Sequence, residues 1–178
     1  MIAHGKVGDA GTANSPLRSV GCIISGERQE VETLPFWPAG VLESTSWTEG
    51  AMGSIHRFDG NEARFDWEGI SEQAYESPEV RGASVRWLIG PVEGAPHFAV
   101  RFFEIEPGGC TSLDRHEHDH GVVVLRGRGE MFLGDDVTEL GYGDVVYVSP
   151  NELHQFRCVG GEPFGFLCII PAPRSVGQ

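Results

Sequence analysis

Residues 108–127 read GGCTSLDRHEHDHGVVVLRG, and the reading of this stretch decides the architecture. Three histidines, His116, His118 and His120, crowd into a polar run that leads straight into Val122 to Leu125, apolar enough to form a buried strand. In an extended chain, residues i, i+2 and i+4 project from one face. Asp114, His116, His118 and His120 can therefore point the same way and offer carboxylate and imidazole to a divalent cation. A solvated polar loop is the competing reading of a lone His-x-His. Here another histidine, His154, follows a second apolar run, GDVVYV at residues 143–148, and the pair of arrangements favours a metal.

Outward from this stretch, the chain from residue 83 onward alternates short β-like runs with glycine and proline: SVRWLIG, HFAVRFFEIE, GVVVLRG, GEMFLG, GDVVYV, HQFRCV and FGFLCII. Runs of about 4 to 8 residues at roughly 8 to 12 residue spacing mark an antiparallel sandwich or barrel. Composition agrees, since 25 glycines in 178 residues are about double the ordinary ~7% and favour turns over helices. An all-β domain is expected over residues 83–173. Residues 1–19 are too small and polar to order, and residues 20–82 read as an N-terminal extension. Its aromatics, Phe36, Trp37, Trp47, Phe58, Phe65, Trp67 and Tyr75, are expected to pack on the barrel or on a partner subunit, with a short helical turn over 70–76.

Thirteen Lys and Arg against 26 Asp and Glu give a net charge of −13, which repels phosphate backbones and anionic lipid, so nucleic acid is an unfavourable partner. The longest apolar runs fall far short of the ~18 residues that span a membrane. Four cysteines without a Cys-x-x-Cys pair, and a start without signal-like character, point to a reducing cytoplasm and free thiols.

The spacing of two motifs resembles that of the cupins. Their first motif reads Gly, five residues, His-x-His, three or four residues, Glu, six residues, Gly. Here Gly108, five residues, Asp114-Arg115-His116, three residues, His120, six residues and Gly127 fit it, with Asp for the first His and His for the Glu. The second reads Gly, five residues, Pro-x-Gly, two residues, His, three residues, Asn; it is matched by Gly143, Ser149-Pro150-Asn151, His154 and Cys158. The resemblance spans about residues 85–171 and implies a double-stranded β-helix, a jelly-roll barrel holding a divalent metal. It carries the ligand role onto Asp114, His116, His120 and His154. If Asp114 binds, three imidazoles and a carboxylate suit Fe(II) or Mn(II). If Asp114 turns away, His116, His120 and His154 form the three-histidine face that some cupin dioxygenases use. A slipped register would make His116 and His118 the pair, but it needs glycine where Cys110 stands. Fe(II) is the preferred ion, with Mn, Ni or Zn as alternatives.

Strand alternation places His154, Phe156 and Cys158 on one face, and Phe164, Phe166 and Cys168 on another. Phe102, Phe156, Phe166 and Cys158 are expected to wall a pocket for a small organic substrate. Arg101 shares a face with Ala99, Phe103 and Ile105; a buried arginine needs a partner, either a substrate carboxylate or Glu104, Glu106 or another acid. Arg101 and Tyr147 are the candidate catalytic groups, with Tyr142 a weaker donor and His56 and His97 read as non-ligands. The resemblance implies a non-haem iron dioxygenase using O2. The alternatives are an isomerase or lyase working through an enediolate, and a non-enzymatic small-molecule-binding protein. A homodimer is a further expectation, because cupin sheets often pair.

Overall fold

The computed structural model describes residues 53–172, which form nine strands and, among those residues, no helix. The strands are β1 (Gln73–Ala74), β2 (Arg81–Ile89), β3 (Phe98–Cys110), β4 (His120–Arg126), β5 (Gly129–Leu133), β6 (Asp136–Leu140), β7 (Val145–Val148), β8 (His154–Cys158) and β9 (Phe164–Pro171). They join in one curled antiparallel sheet in the order β6-β5-β8-β3-β9-β4-β7, with β2 on the free side of β3 and β1 on β2. This is the all-β jelly roll that the sequence predicts. The long β3 holds its two walls together: Phe98 to Ile105 pair with β9, and Cys110 pairs with Arg157 of β8.

Register fixes what lies inside. Ala99, Arg101, Phe103 and Ile105 stand opposite Ile170, Cys168, Phe166 and Phe164, while Val122 and Val124 of β4 stand opposite Cys168 and Phe166. From the other wall, Met131 of β5 faces Phe156 of β8. These side chains form one core, with Phe166 at 5.6 Å from Phe103 and 4.5 Å from Phe156, ring centre to ring centre. Burying each ring contributes about 1.5 to 3 kcal/mol. The motif glycine Gly127 turns the chain out of β4 at φ 66°, and a Cβ there would collide with the Pro163 carbonyl oxygen, so no other residue fits.

One expected turn is corrected, one strand goes unanticipated, and one cysteine departs from its expected state. Residues 70–76 form no helical turn; Gln73 and Ala74 add a two-residue strand to β2, because Tyr75 N–H continues the ladder by donating to the Ala83 carbonyl. The strand β6, DVTEL, lies among the polar residues because it is an edge strand exposed except at Leu140, so it carries no apolar run to read. The free-thiol expectation holds for Cys158 and Cys168, whereas Cys110 is disulfide-bonded. Expectations for residues 1–52, including Phe36, Trp37 and Trp47, lie outside the described residues. No helix among the described residues is long and apolar enough to cross a membrane.

The extension packs on the outer face of the barrel. Phe58 bridges to Trp67 around a turn that Asn61 closes by accepting the Ala63 and Arg64 N–H groups. Phe65 stacks on Phe102 at 5.5 Å and Trp67 lies 5.1 Å from the same ring. Ion pairs surround this cover: Arg86 lies between Asp66 and Glu72, and Arg126 donates to Glu104 at 2.9 Å.

Candidate metal centre

After β3 the chain runs through a loop, residues 111–119, that is strapped to β8. Thr111 N–H donates to the Phe156 carbonyl and its hydroxyl accepts from Phe156 N–H, while Gln155 donates its amide to the Thr111 carbonyl. Asp114 and His154 exchange both backbone hydrogen bonds, at 2.9 and 3.0 Å. On the other side Asn151 N–H donates to the His116 carbonyl at 2.7 Å. Asn151 stands where the second motif has glycine and adopts φ 62°, a left-handed conformation that asparagine tolerates better than most residues. The two motifs are thereby tied backbone to backbone. That tie brings His154 to the loop histidines although 33 residues separate it from His120.

His116 and His120 meet nitrogen to nitrogen, Nε2 to Nε2, at 2.8 Å. His154 lies edge-on to both, with ring centres 5.0 and 5.1 Å away. Each of the three rings has its Nδ1 engaged by the protein. His116 donates to the His118 carbonyl at 2.9 Å and His154 to the Glu152 carbonyl at 2.8 Å, while His120 Nδ1 sits 3.3 Å from the Cys168 sulfur. Donation to a carbonyl fixes the proton on Nδ1 and leaves the Nε2 lone pair for a ligand, the device that orients histidines at metal sites. Burial, reinforced by the neighbouring imidazole of His116, pushes His120 down to about 2; burial also lowers His154. Both stay neutral at pH 7, the form that binds a cation.

His118 enters a second grouping: ligand atoms of His116, His118 and His120 all lie within 4.8 Å of one another. His118 stacks on His116 at 3.8 Å, and burial pushes it down to about 4. Among the described residues, no hydrogen-bond partner holds its ring nitrogens. His116 and His120 are common to both groupings. Two nitrogens each about 2.0 to 2.1 Å from one cation lie about 3 Å apart when their bonds are at right angles, so the observed 2.8 Å fits a shared divalent ion.

Asp114 is engaged differently. Its Oδ2 accepts from Ser112 Oγ at 2.6 Å and from the Tyr75 hydroxyl at 3.3 Å, and Tyr75 also contacts Ser112 at 2.9 Å. Burial, and then the nearby Asp114 charge, push the Tyr75 phenol up to about 12. The strand-alternation argument for residues 114–120 does not apply, since only His120 lies in a strand and 111–119 is loop.

The remaining candidates separate. Phe156 and Phe166 form the floor beneath the histidines, with Phe156 6.5 Å from His154. Cys158, next on that face after Phe156, is buried deeper, with its sulfur against the Glu162 carbonyl at 3.2 Å. Phe102 is on the opposite face of β3, sealed under Phe65 and Trp67, so it does not share the interior with Phe156 and Phe166. Tyr147 and Tyr142 are exposed; the Tyr147 hydroxyl reaches Asp119 at 3.3 Å. His56 pairs with Glu93 on the outer side. Arg101 is inside, and neither Glu104 nor Glu106 is its partner: Glu104 faces outward to Arg126 and Glu106 is exposed. Its Nη2 instead donates to Cys168 at 3.2 Å. Sequence reasoning missed three participants. Tyr75 arrives from the extension, Trp87 lies opposite Arg101 on β2, and Cys168 touches both Arg101 and His120. Only the matched parity of Arg101 and Cys168 hinted at the last of these.

The profile of the Cupin_2 family, described as a cupin domain, matches residues 101–170. A Rhodospirillum rubrum protein named 1-methylthio-D-xylulose 5-phosphate methylsulfurylase is 42% identical over 120 residues, which are 66% of this chain and 76% of that protein. A crystal structure of a cupin-2 domain from the same organism superposes with a TM-score of 0.58 at 33% identity, covering 68% of this chain and 82% of the other. The polyketide cyclase of Streptomyces resistomycificus gives a TM-score of 0.56 at 28% identity, covering 62% and 82%.

Proposed function

Because the chain belongs to the cupin family, we propose that it is a metal-dependent enzyme in which His116, His120 and His154 hold one divalent ion against a small organic substrate. The observation that carries this reading is the 2.8 Å approach of two Nε2 atoms whose rings are anchored at Nδ1. A divalent ion there supplies Lewis acidity, polarising a substrate carbonyl and stabilising the charge that develops beside it. Imidazole ligands suit Fe(II), Ni(II) or Zn(II).

The chain's own groups do the rest. Phe156 and Phe166 keep water from the floor of the site, and Asp114, held by Ser112 and Tyr75, keeps a negative charge at its edge. The relative named as a methylsulfurylase supports a substrate of its class, a phosphorylated ketose bearing a methylthio group, for this chain as well. The test is incubation of metal-loaded protein with 1-methylthio-D-xylulose 5-phosphate and a simple thiol acceptor such as dithiothreitol, under nitrogen, with mass spectrometry of the sugar phosphate. Loss of the methylthio group, abolished by His154→Ala, is expected. Unchanged sugar phosphate together with far less than one metal ion per chain would sink the proposal.

A second reading is oxygenation of a small organic substrate on Fe(II). It is favoured by the commitment of Asp114 Oδ2 to Ser112 and Tyr75, which leaves three imidazoles as the groups that would hold Fe(II). Substrate-dependent O2 uptake, with no turnover under nitrogen, would select it.

A further inference from the structure

Buried arginines in this protein have carboxylates. Arg86 lies between Asp66 and Glu72, Arg126 meets Glu104, and the half-buried Arg157 meets Glu130 at 2.8 Å. Arg101 breaks the pattern. It is 7% exposed, and no carboxylate among the described residues lies within salt-bridge distance of it. Its guanidinium is held between two rings, 5.4 Å from Trp87 and 5.0 Å from Phe103, a geometry that fixes a cation without neutralising it. Nη2 donates to the Cys168 sulfur; Nε is buried without an acceptor, as it is in Arg126 and Arg157, so what sets Arg101 apart is the missing carboxylate.

Its position gives the unmet charge a purpose. Arg101 stands directly opposite Cys168 in the β3–β9 register, and the Cys168 sulfur is 3.3 Å from His120 Nδ1. One side chain therefore separates the guanidinium from the imidazole cluster. Asp114 does not neutralise it: its Oδ2 is taken by Ser112 and Tyr75, and it forms no ion pair with Arg101. An arginine fork left open beside a reaction centre matches the two oxygens of a phosphate or a carboxylate.

We propose that Arg101 is the receptor for an anionic oxygen group of the substrate, phosphate or carboxylate, at the inner wall beside the histidine cluster. The proposal rests on the reading of that cluster as the reaction centre only for what lies next to the anion. The anion site itself stands on the unneutralised, ring-clamped guanidinium. The Cys168 sulfur fixes one arm of the fork, and the incoming group supplies the negative charge that the described residues do not bring to it.

The experiment titrates the purified full chain with inorganic phosphate and, separately, with acetate. It is read by line broadening of the 31P and methyl 1H signals, on metal-loaded protein and again after chelation. Saturable binding near one equivalent is expected in both states, weakened at least tenfold in Arg101→Met. The probe bound more tightly identifies the group as phosphate or carboxylate. Arg101→Lys keeps the charge and loses the planar fork, and it is expected to weaken binding at least threefold, so the test survives if the methionine variant does not fold. Unchanged affinity in either folded variant overturns the proposal, as does binding that disappears on chelation, since the anion would then be a metal ligand. Arg101-dependent anion binding in a protein that holds no metal and turns over nothing would remove the enzyme reading while leaving this one in place.

Discussion

On the outer face of β3, Glu104 meets Arg126 at 2.9 Å, while on the inner face, three residues earlier, Arg101 meets a sulfur and two aromatic rings. The same strand thus buries charge in two ways. The outer pair joins β3 to β4 under the aromatic cover and balances its charge within the protein. The inner cation is incomplete within the protein. Removing one partner from a buried ion pair leaves an uncompensated charge and is strongly destabilising, whereas trading a buried unpaired charge for an apolar group removes that charge's desolvation penalty along with its contacts. The comparison teaches that burial of an arginine does not reveal its purpose; its partner does.

The largest effect that bears on this contrast belongs to the ligands. His120→Ala is expected to lower metal affinity by more than the roughly 100-fold that loss of a supporting contact can cause, as read by metal analysis after competition with a chelator. Retained occupancy would transfer the site to other residues. Next is Glu104→Gln on the outer face, expected to cost about 3 kcal/mol in urea unfolding because Arg126 is left unneutralised, with metal binding unchanged. Cys168→Ala, which removes the group against His120 Nδ1, is expected to weaken metal binding by roughly tenfold; an unaltered affinity would mean that the sulfur does not orient the ring.

The effect of acid is smaller. In metal-free protein, folded His120 stays neutral down to about 2, while in the unfolded chain it protonates below 6.5. The unfolded state then binds the extra proton, so stability present above 6.5 is lost as pH falls, by about 1 kcal/mol from this residue between pH 6.5 and 5.5. Urea midpoints at the two values, compared with those of His120→Ala, isolate that share. The smallest effect is on the inner face itself: Arg101→Met is expected to change unfolding free energy by less than about 1 kcal/mol. A loss near that of Glu104→Gln would erase the difference between the faces.

Much of this was legible in the sequence, for physical reasons. Seven of the nine strands announce themselves because their inner faces are continuous apolar series, as in Phe164, Phe166, Cys168 and Ile170. The positions of His116, His120 and His154 follow from motif spacing, and Asn151 could be read as a glycine substitute because it tolerates the left-handed turn. Phe102 could not be placed correctly, because its face is apolar for a reason that lies elsewhere in the chain: Phe65 and Trp67 cover it. The partner of Arg101 was equally hidden. Alternation says which residues share a face but not whether the acid on the next strand is inside, and here Glu104 is spent on Arg126.

The hydroxyl of Tyr75 reaches Asp114 from a segment that precedes the barrel's first long strand. A truncation beginning at residue 83, where the apolar strand pattern starts, would keep His116, His118, His120 and His154 and still deliver a different site. Asp114 would lose a donor, Phe103 would lose the ring 5.3 Å away, and Phe102 would open to water. The smallest unit that builds this histidine site therefore starts earlier than its sequence motifs do. A gene fragment cut to the motifs would test a molecule that the full chain never forms.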